Sequence, residues 1–348
     1  MLPPQTHPTI SVKRHPSASA DLARHGCVDR STARVGDVLL TTDILRQWEA
    51  LKVAGTSVPT GEWSWIFAHY HSEYEDVLNH GDNDRLCALL RTCFRNNLTA
   101  GLVSQCVCDD STPDNACFDF ANNLLLDFDT WTELCDSNRS ILDVPTVGNP
   151  YGLTIGNAVI MPDTPRHDYH AKRLASLLNV RHRDGKRTIL EIGGGYGGAC
   201  LQFLRRSSSP ICWINVDLEQ NLFVSYFFIA SCIKLLEVPV RVRWGGLPAL
   251  TRDLVEQSQN SEVWLIPARN HHLIECGSDI AYNSTSFSEM SRTSIERTCK
   301  RLPRMGLSSS IIRTAPFVRG HSRREVTRRS WQRNFQSIKP STKRCAEL

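Results

Sequence analysis

Five glycines occupy six positions, from Gly193 to Gly198, in the segment LEIGGGYGGA that runs from Leu190 to Ala199. The segment opens with a short apolar run that predicts a strand, and the residues after it predict a helix. A glycine-rich turn between a strand and a helix lets the backbone approach a ligand closely and presents helix N-terminal amides to it. Because five glycines cost much chain entropy, packing alone does not account for them. The loop therefore predicts a nucleotide-cofactor site.

The glycine loop fits the patterns of two cofactor classes. Gly193, Gly195 and Gly198 satisfy G-x-G-x-x-G, the dinucleotide fingerprint, which is weak evidence by itself. Glu191, followed by Gly193, Gly195 and Gly197, satisfies E/D-x-G-x-G-x-G, the pattern of S-adenosylmethionine (AdoMet) loops. A carboxylate at Glu191 suits a ligand with an ammonium group, such as the methionine end of AdoMet, whereas dinucleotide folds prefer an apolar residue there. We expect AdoMet, with an NAD(P)-binding oxidoreductase as the alternative; a P-loop is excluded because no Gly-Lys-Ser/Thr follows.

Asp217 lies at the end of the next predicted strand, ICWINVD. A carboxylate at this position can accept hydrogen bonds from both hydroxyls of a ribose, which AdoMet and NAD share. In an open α/β sheet, ligands bind beyond the carboxyl ends of the strands. This rule selects four loops, at residues 191–198, 217–221, 268–273 and 284–289. By their positions, the first two should hold the methionine and ribose parts of AdoMet.

Six segments between about residues 145 and 304 carry a resemblance to a known family. In chain order they are VGNPYG, RHDYHAKRLASLL, ILEIGGGYGG, INVDLEQNL, VWLIPA and DIAYNSTSFSEM. In this order and spacing they resemble the sugar O-methyltransferase family, a group of class I AdoMet-dependent enzymes. The resemblance implies a Rossmann-like methyltransferase domain, AdoMet as the methyl donor, and a small-molecule acceptor with a sugar hydroxyl.

Methyl transfer to a sugar hydroxyl requires a base that removes the hydroxyl proton and an alignment of that oxygen with the methyl group. His271, His272 and Glu289 are the candidate catalytic residues because they lie in loops at the expected edge of the sheet. For both histidines, a solvated loop position is an equal alternative. For Glu289, the alternative is a capping box with Ser286 at a helix N-terminus.

Other polar residues are weaker candidates. His167, Tyr169 and His170 lie on a helix that leads to the first strand and could line the same cleft, although His170 joins an apolar stripe and is expected in the core. Asp279 and Asn283 come nearest to a metal pair. Because no set of ligands has a convincing spacing, we expect no metal site.

The elements that must position these residues follow from apolar periodicity. Four stripes at helical spacing predict four amphipathic helices and hence a helical N-terminal domain. They cover residues 44–51, 63–78, 86–94 and 118–131. Thr42 and Asp43 are the cap candidates of the first helix. From Thr188 onward, short apolar strands alternate with helices, which predicts parallel βαβ units in a doubly wound, Rossmann-like α/β sheet.

These patterns divide the chain into four parts. Residues 1–36 are rich in Pro, Ser, Thr, His and Arg and are expected to form a disordered arm. Residues 37–145 form the helical domain, 146–316 the methyltransferase domain, and 317–348 a basic disordered tail. The last predicted strand lies around Ile311, where the family pattern leads us to expect further strands. A second hypothesis is therefore a non-catalytic or truncated methyltransferase-fold protein that retains at most AdoMet binding.

Composition limits the remaining function classes. The 348 residues are 41% hydrophobic with a net charge of +4, which is typical of a globular protein. Ten Lys/Arg and two acids lie from Arg313 onward, but no RNA- or DNA-binding module accompanies them, so we expect no nucleic-acid partner. Thirteen cysteines lack paired spacing, apart from Cys106 and Cys108, and no apolar segment follows Met1. We expect a cytoplasmic protein with reduced, buried thiols and no membrane partner, in which the apolar run 222–236 forms a buried helix.

Overall fold

The computed structural model of the chain describes residues 14–103, 108–135, 138–180, 185–245, 248–284, 286, 290–291, 293 and 311–313. The first half is helical, as the apolar periodicity predicts. The helices are α1 (Ala20–Gly26), α2 (Asp37–Ala54), α3 (Glu62–Tyr70), α4 (Ser72–His80), α5 (Asn83–Arg91) and α6 (Asp114–Leu134).

The second predicted stripe, residues 63–78, forms two helices instead of one. His71, with φ of −103°, ends α3 and directly precedes α4. Its ring is buried and packs against Phe67 and Tyr74, at centroid distances of 4.6 and 6.3 Å. The apolar spacing continues through this break, so periodicity alone predicts a single helix there.

The first long helix, α2, begins earlier than its apolar stripe. Thr42 and Asp43 lie inside it and do not cap it, which corrects the predicted start. The buried carboxylate of Asp37 accepts a hydrogen bond from Arg34 N at 3.0 Å and another from Arg91 Nε at 2.7 Å. These polar contacts hold the first turn in place ahead of the apolar residues.

The N-terminal arm is partly ordered, which corrects the expected disorder for residues 14–36. α1 packs against α6, and Ala23 is fully buried. Gly26 approaches the backbone of Gly152 so closely that no side chain fits between them. One small apolar face is therefore enough to dock the arm, although its overall composition is polar. Residues 1–13, the rest of the predicted arm, lie outside the described residues, as does the predicted tail at 317–348.

The second half contains a two-stranded hairpin and a six-stranded sheet. Its helices are α7 (Thr164–Val180), α8 (Gly198–Arg206), α9 (Glu219–Leu235) and α10 (Arg252–Glu256). The antiparallel hairpin consists of β1 (Leu153–Ile155) and β2 (Ala158–Ile160). The sheet consists of β3 (Arg187–Ile192), β4 (Ile211–Asp217), β5 (Val240–Trp244), β6 (Ser261–Pro267), β7 (Ile280–Asn283) and β8 (Ile311–Arg313).

All six strands of the sheet are parallel, in the order β5-β6-β4-β3-β7-β8. Parallel strands joined by helices confirm the predicted Rossmann-like α/β architecture. If β5 is left out and the remaining five strands are numbered along the chain, their order across the sheet is 3-2-1-4-5, as in a doubly wound sheet. β5 is thus an additional edge strand. The strand order reverses at β3, so the carboxyl end of β3 borders the crevice where such sheets bind ligands.

Residues of β3 alternate between two apolar clusters, one on each face of the sheet. Ile189 belongs to a large core that also contains Trp48 and Phe94 of the helical half. Leu190 and Ile192 belong to a smaller cluster on the other face. Because the large core is continuous, the helical half and the α/β half pack against each other directly instead of forming two separate cores.

The most apolar run of the sequence forms the buried helix α9, as predicted. Leu222, Phe223 and Phe227 have no exposed surface. α9 contacts α2 on one side and β4, β5 and β6 on the other. Across the part of the chain that the structure describes, no helix is long and apolar enough to cross a membrane.

Candidate functional site

A cavity of about 320 Å³ opens at the carboxyl edge of the sheet, on the face that carries Leu190 and Ile192. Its volume lies near the lower end of the range for small-molecule sites. The α/β half contributes the glycine loop, the end of β4 and the turn after β6, and the helical half contributes the loop between α2 and α3. The crevice expected from strand order therefore exists, and the helical half forms part of its wall.

The glycine loop requires glycine at three positions. Gly193, Gly195 and Gly197 have φ of +70°, +55° and +89°, in the left-handed region that side chains disfavour. A Cβ at Gly193 would lie 1.8 Å from Ser286 Oγ, and one at Gly197 would lie 2.5 Å from Ile229 Cδ1. Backbone conformation thus disfavours larger residues at all three positions, and close packing does so as well at Gly193 and Gly197.

The side chains of β4 hold the glycine loop from beneath. Gly194 N donates to Asn215 Oδ1 at 3.2 Å, and Gly195 N donates to Asp217 Oδ2 at 2.9 Å. Gly193 N donates at 2.8 Å to a backbone carbonyl of β4. These three consecutive amides are satisfied within the protein, so in this conformation they do not offer donors to a bound anion.

The N-terminus of α8 is also closed to the cavity. Gly198 begins this helix and is buried, and a Cβ there would lie 2.3 Å from His167 Nδ1 and 2.7 Å from the Tyr196 hydroxyl. The Tyr196 hydroxyl lies 3.3 Å from His167 Nδ1. His167 therefore covers a helix end and does not line the cavity, and burial lowers its pKa to about 4.

Glu191 lies beneath the glycine loop, on the face of β3 opposite the cavity. Its Oε2 accepts a hydrogen bond from Trp213 Nε1 at 2.9 Å and lies 2.6 Å from the Cβ position of Gly194. Burial raises the pKa of Glu191 to about 8, although the Trp213 bond acts in the other direction. The period of two along a strand explains the placement, because Leu190 and Ile192 occupy the cavity face. The structure does not bring Glu191 into the cavity lining, where a direct ammonium contact would require it.

Asp217 lines the cavity at the end of β4, as the sequence predicts. Its Oδ1 accepts hydrogen bonds from Leu218 N at 2.7 Å and Asn221 Nδ2 at 3.0 Å, and its Oδ2 accepts one from Gly195 N. These donors fill three of the roughly four acceptor positions of a carboxylate. One acceptor position on Oδ2 therefore remains for a ribose hydroxyl, whereas the sequence predicts hydrogen bonds from both ribose hydroxyls. Burial raises the pKa of Asp217 to about 6.

Of the three candidate bases, the structure places His271 in the cavity wall. Its Nδ1 lies 2.5 Å from the Ala268 carbonyl, so Nδ1 carries the proton and Nε2 is the basic nitrogen of the ring. His272 is exposed and outside the lining, with Nδ1 2.9 Å from the Arg269 carbonyl. Consecutive residues of this short turn point in different directions. Glu289 lies outside the described residues.

Ser286 contacts the glycine loop directly. Its Oγ donates to the Gly193 carbonyl at 2.9 Å. Asn283, the last residue of β7, makes a similar contact: its Nδ2 donates to the carbonyl of Ile192, the residue before Gly193, at 2.8 Å. The end of β7 is therefore tied to the end of β3, which fixes the floor of the cavity.

A polar contact between the two halves was not recognised in the sequence. Glu219 is fully buried, and its Oε1 accepts hydrogen bonds from Ser57 N at 3.0 Å and Ser57 Oγ at 2.9 Å. Arg269 Nε lies 3.6 Å from the same carboxylate, and its guanidinium also donates to the Ala54 carbonyl. Ser57 and Arg269 both line the cavity. In the sequence, the sign of this contact is the position of Glu219 in the segment INVDLEQNL, two residues after Asp217.

The remaining polar candidates have structural roles. Asp279 and Asn283 lie at opposite ends of β7, and Asp279 Oδ2 accepts a hydrogen bond from Thr188 N at 2.8 Å. His170 is buried against the Tyr282 ring, at a centroid distance of 5.6 Å, as its apolar stripe predicts. In the described part of the chain, no group of three or more His, Cys, Asp or Glu could hold a metal ion.

A larger depression of about 700 Å³ lies at the amino ends of β3 and β4. Ligands of parallel α/β sheets bind at the opposite edge. Its cationic side chains are already paired, Lys186 with Glu262, Arg187 with Asp279, and Arg206 with Asp168. The smaller cavity above the glycine loop is therefore the better candidate site.

Comparison with models of known protein families finds no match to this chain, and comparison with curated proteins finds none either. The resemblance of the six sequence segments stays a prediction, and the functional inference rests on the geometry of the site.

Proposed function

We propose that the chain is an AdoMet-dependent methyltransferase that acts on a hydroxyl group of a sugar or a glycosylated small molecule. The observation that carries the proposal is the cavity above the glycine loop, where Gly193 and Gly195 form the floor and Asp217 stands beside them. Glycines admit a ligand close to the backbone, and a carboxylate at the next strand end accepts a ribose hydroxyl. Both features fit the nucleoside and amino-acid parts of AdoMet.

The hydrogen bonding of the loop favours AdoMet over a dinucleotide. A pyrophosphate needs amide donors at the loop and at the following helix N-terminus. Here the loop amides bond to Asn215, Asp217 and the β4 backbone, and the end of α8 is covered by Tyr196 and His167. The carboxylate of Asp217, which lines the cavity beside the loop, would also repel a phosphate. AdoMet carries no phosphate and needs none of these donors.

The helical half supplies the side of the cavity that suits an acceptor. Thr56 and Thr60 bring hydroxyl groups to the wall, and Trp63 brings an aromatic ring, whereas the Ser57 hydroxyl is bonded to Glu219. Hydroxyl groups exchange hydrogen bonds with sugar hydroxyls, and an aromatic face packs against the apolar face of a sugar ring. The Glu219 and Arg269 contacts hold this loop against the cofactor edge.

The proposed chemistry assigns one role to each group in the wall. AdoMet, when bound, supplies a methyl group on a sulfonium centre. Asp217 orients the ribose, and His271 Nε2 accepts the proton of the acceptor hydroxyl as its oxygen attacks. Glu191 acts as a positioning residue, because its contact is with the glycine loop itself.

Calorimetry with AdoMet and with NAD tests the proposal on the full-length protein. We expect a saturable heat signal with AdoMet and none with NAD. Binding of NAD without binding of AdoMet would overturn the proposal, and so would the absence of binding to either compound. Transfer of a labelled methyl group from AdoMet to a panel of sugars then tests turnover, and a chain that binds AdoMet but never transfers the label supports the non-catalytic alternative.

An Asp217→Ala variant tests the assigned site. Because a hydrogen bond to a charged group contributes about 1.5–3 kcal/mol, we expect AdoMet affinity to fall roughly 10- to 150-fold. The matched control is Asp253→Ala, which removes an exposed carboxylate on α10. Thermal unfolding of both variants separates loss of the ribose contact from loss of the Gly195 support. Unchanged affinity in Asp217→Ala would mean that the nucleoside binds elsewhere.

A further inference from the structure

Three cysteines from distant parts of the chain meet near the end of α1, away from the cavity. Cys27 follows α1, Cys108 lies in the segment before α6, and Cys117 lies on α6. Cys108 N donates to Cys27 Sγ at 3.3 Å. The Cys27 and Cys117 thiols both lie close enough to the Cys108 thiol to raise its pKa. All three are free thiols, so Cys27 and Cys108 form a pair of neighbouring thiols that no disulfide joins.

The three thiols differ in exposure and in acidity. Cys27 is half-buried, whereas Cys108 and Cys117 are buried. Hydrogen bonds from the Cys108 thiol and amide, together with the charge of Arg95, lower the pKa of Cys27 to about 7. The Arg95 guanidinium also donates to the Cys27 carbonyl at 2.5 Å, which fixes the cation beside the thiol. The same contact with Cys27, together with burial, raises the pKa of Cys108.

A partly exposed cysteine whose sulfur lies against a second, buried cysteine is the arrangement of oxidation-sensitive cysteine pairs. We propose that Cys27 is a site of reversible thiol oxidation, with Cys108 as the resolving cysteine and a low-molecular-weight disulfide as the oxidant. The proposal does not depend on the methyltransferase assignment, because the cluster shares no residue with the cavity.

The exchange proceeds in two balanced steps. The Cys27 thiolate attacks one sulfur of the external disulfide, whose S–S bond breaks, and the departing thiolate takes up a proton from water. Cys108 then loses its proton to water and attacks Cys27 Sγ, which displaces the second external thiol. Two protein thiols are oxidised by two electrons in total, and one external disulfide is reduced to two thiols. A small-molecule thiol in excess reverses both steps.

The experiment is a titration of the full-length protein with oxidised glutathione at pH 7, followed by alkylation and peptide mass spectrometry without reduction. We expect one cross-linked peptide that joins Cys27 to Cys108, and its loss on addition of reduced glutathione. Alkylation of Cys27 in the reduced protein should reach half its maximal rate near pH 7.

Two variants and one control separate the steps. Cys27→Ser should abolish both the cross-link and the glutathione adduct. Cys108→Ser should stop the reaction at a stable glutathione adduct on Cys27, a result that loss of folding would not produce. Cys87→Ser, a buried cysteine on α5, should leave the cross-link intact. A link from Cys27 to Cys106 or any other cysteine, an adduct spread over several cysteines, or no reaction would overturn the proposal.

Discussion

The buried carboxyl group of Glu191 makes the stability of the fold depend on pH. Its pKa is raised from 4.5 to about 8 by burial, so the folded state holds a proton that the unfolded state releases between these pH values. Unfolding is therefore favoured as the pH rises through this window, and stability is fully present only below about pH 4.5. The glycine loop packs directly against Glu191, so the free-energy cost of ionising this buried carboxyl group arises beside the candidate site.

Replacement of Glu191 by Gln should remove this pH dependence. Gln keeps an acceptor for Trp213 Nε1 but does not ionise, so the variant should gain stability relative to the parent by about 3 kcal/mol between pH 4.5 and pH 7. Urea unfolding at a series of pH values measures the difference. Glu275→Gln, at an exposed position, is the control and should give a curve parallel to the parent. If the curves of stability against pH for Glu191→Gln and the parent were parallel, the Glu191 carboxyl group of the parent would titrate as it does in water, which would contradict the prediction.

At the residue scale, the sequence predicts Asp217 and His271 at the carboxyl edge of the sheet, because strand ends and the turns after them can be counted along the chain. Both residues line the cavity there, and their roles in binding and catalysis stay predictions. The sequence does not distinguish His271 from His272, since the direction of each side chain in a short turn depends on backbone angles. The loop pattern predicts a ligand contact for Glu191, whereas the alternation of β3 places its neighbours Leu190 and Ile192 on the cavity face.

At the element scale, the glycine loop should tolerate a side chain less than an open turn does. Gly197 and Gly156 both have positive φ, but a Cβ at Gly156 meets nothing within 4 Å, whereas one at Gly197 lies 2.5 Å from Ile229. Gly156→Ala should cost about 1–2 kcal/mol of backbone strain. Gly197→Ala should cost about 1–3 kcal/mol more from overpacking. Denaturant unfolding of the two variants gives the difference, and equal losses would contradict the packing argument.

The elements themselves follow largely from local patterns. The apolar runs of β3, β4 and β6 and the stripes of α2, α5 and α6 are readable because each buries one face or one strand. The break at His71 and the ordered α1 are not, because a single buried ring and a close contact of Gly26 with Gly152 determine them. The place of β5 at the outer edge, beyond β6, is a matter of long-range pairing that no local pattern records.

At the scale of the whole molecule, the two halves share one core and should unfold together. Trp48 of α2 packs edge to face on Phe223 of α9, at a centroid distance of 6.0 Å. Trp48→Ala should lower the free energy of unfolding by about 3–5 kcal/mol and keep a single transition. Far-ultraviolet circular dichroism and calorimetry test this, with the more exposed Trp65→Ala as the control. Two separate transitions, one of them unchanged in the variant, would contradict a shared core.

The division of the chain into a helical and an α/β part is correct as a statement about element types. It does not extend to independent domains, because the sequence of an apolar helix face, as in α2, α5 and α9, does not show which element that face packs against. Trp48 and Phe94 resemble the core residues of a separate helical bundle in sequence, yet both contact aromatic rings of the α/β half. The buried Glu219 contact with Ser57 adds a polar link across the same boundary.

The way the glycine loop is held has a thermodynamic consequence for any ligand. Asn215, Asp217 and the β4 backbone fix three consecutive amides, so the conformational entropy of five glycines is given up when the chain folds and not when a ligand arrives. A ligand therefore meets a preorganised surface, and little of its contact energy is spent on ordering the protein. Association at this loop should therefore proceed with little change in the conformation of the loop backbone.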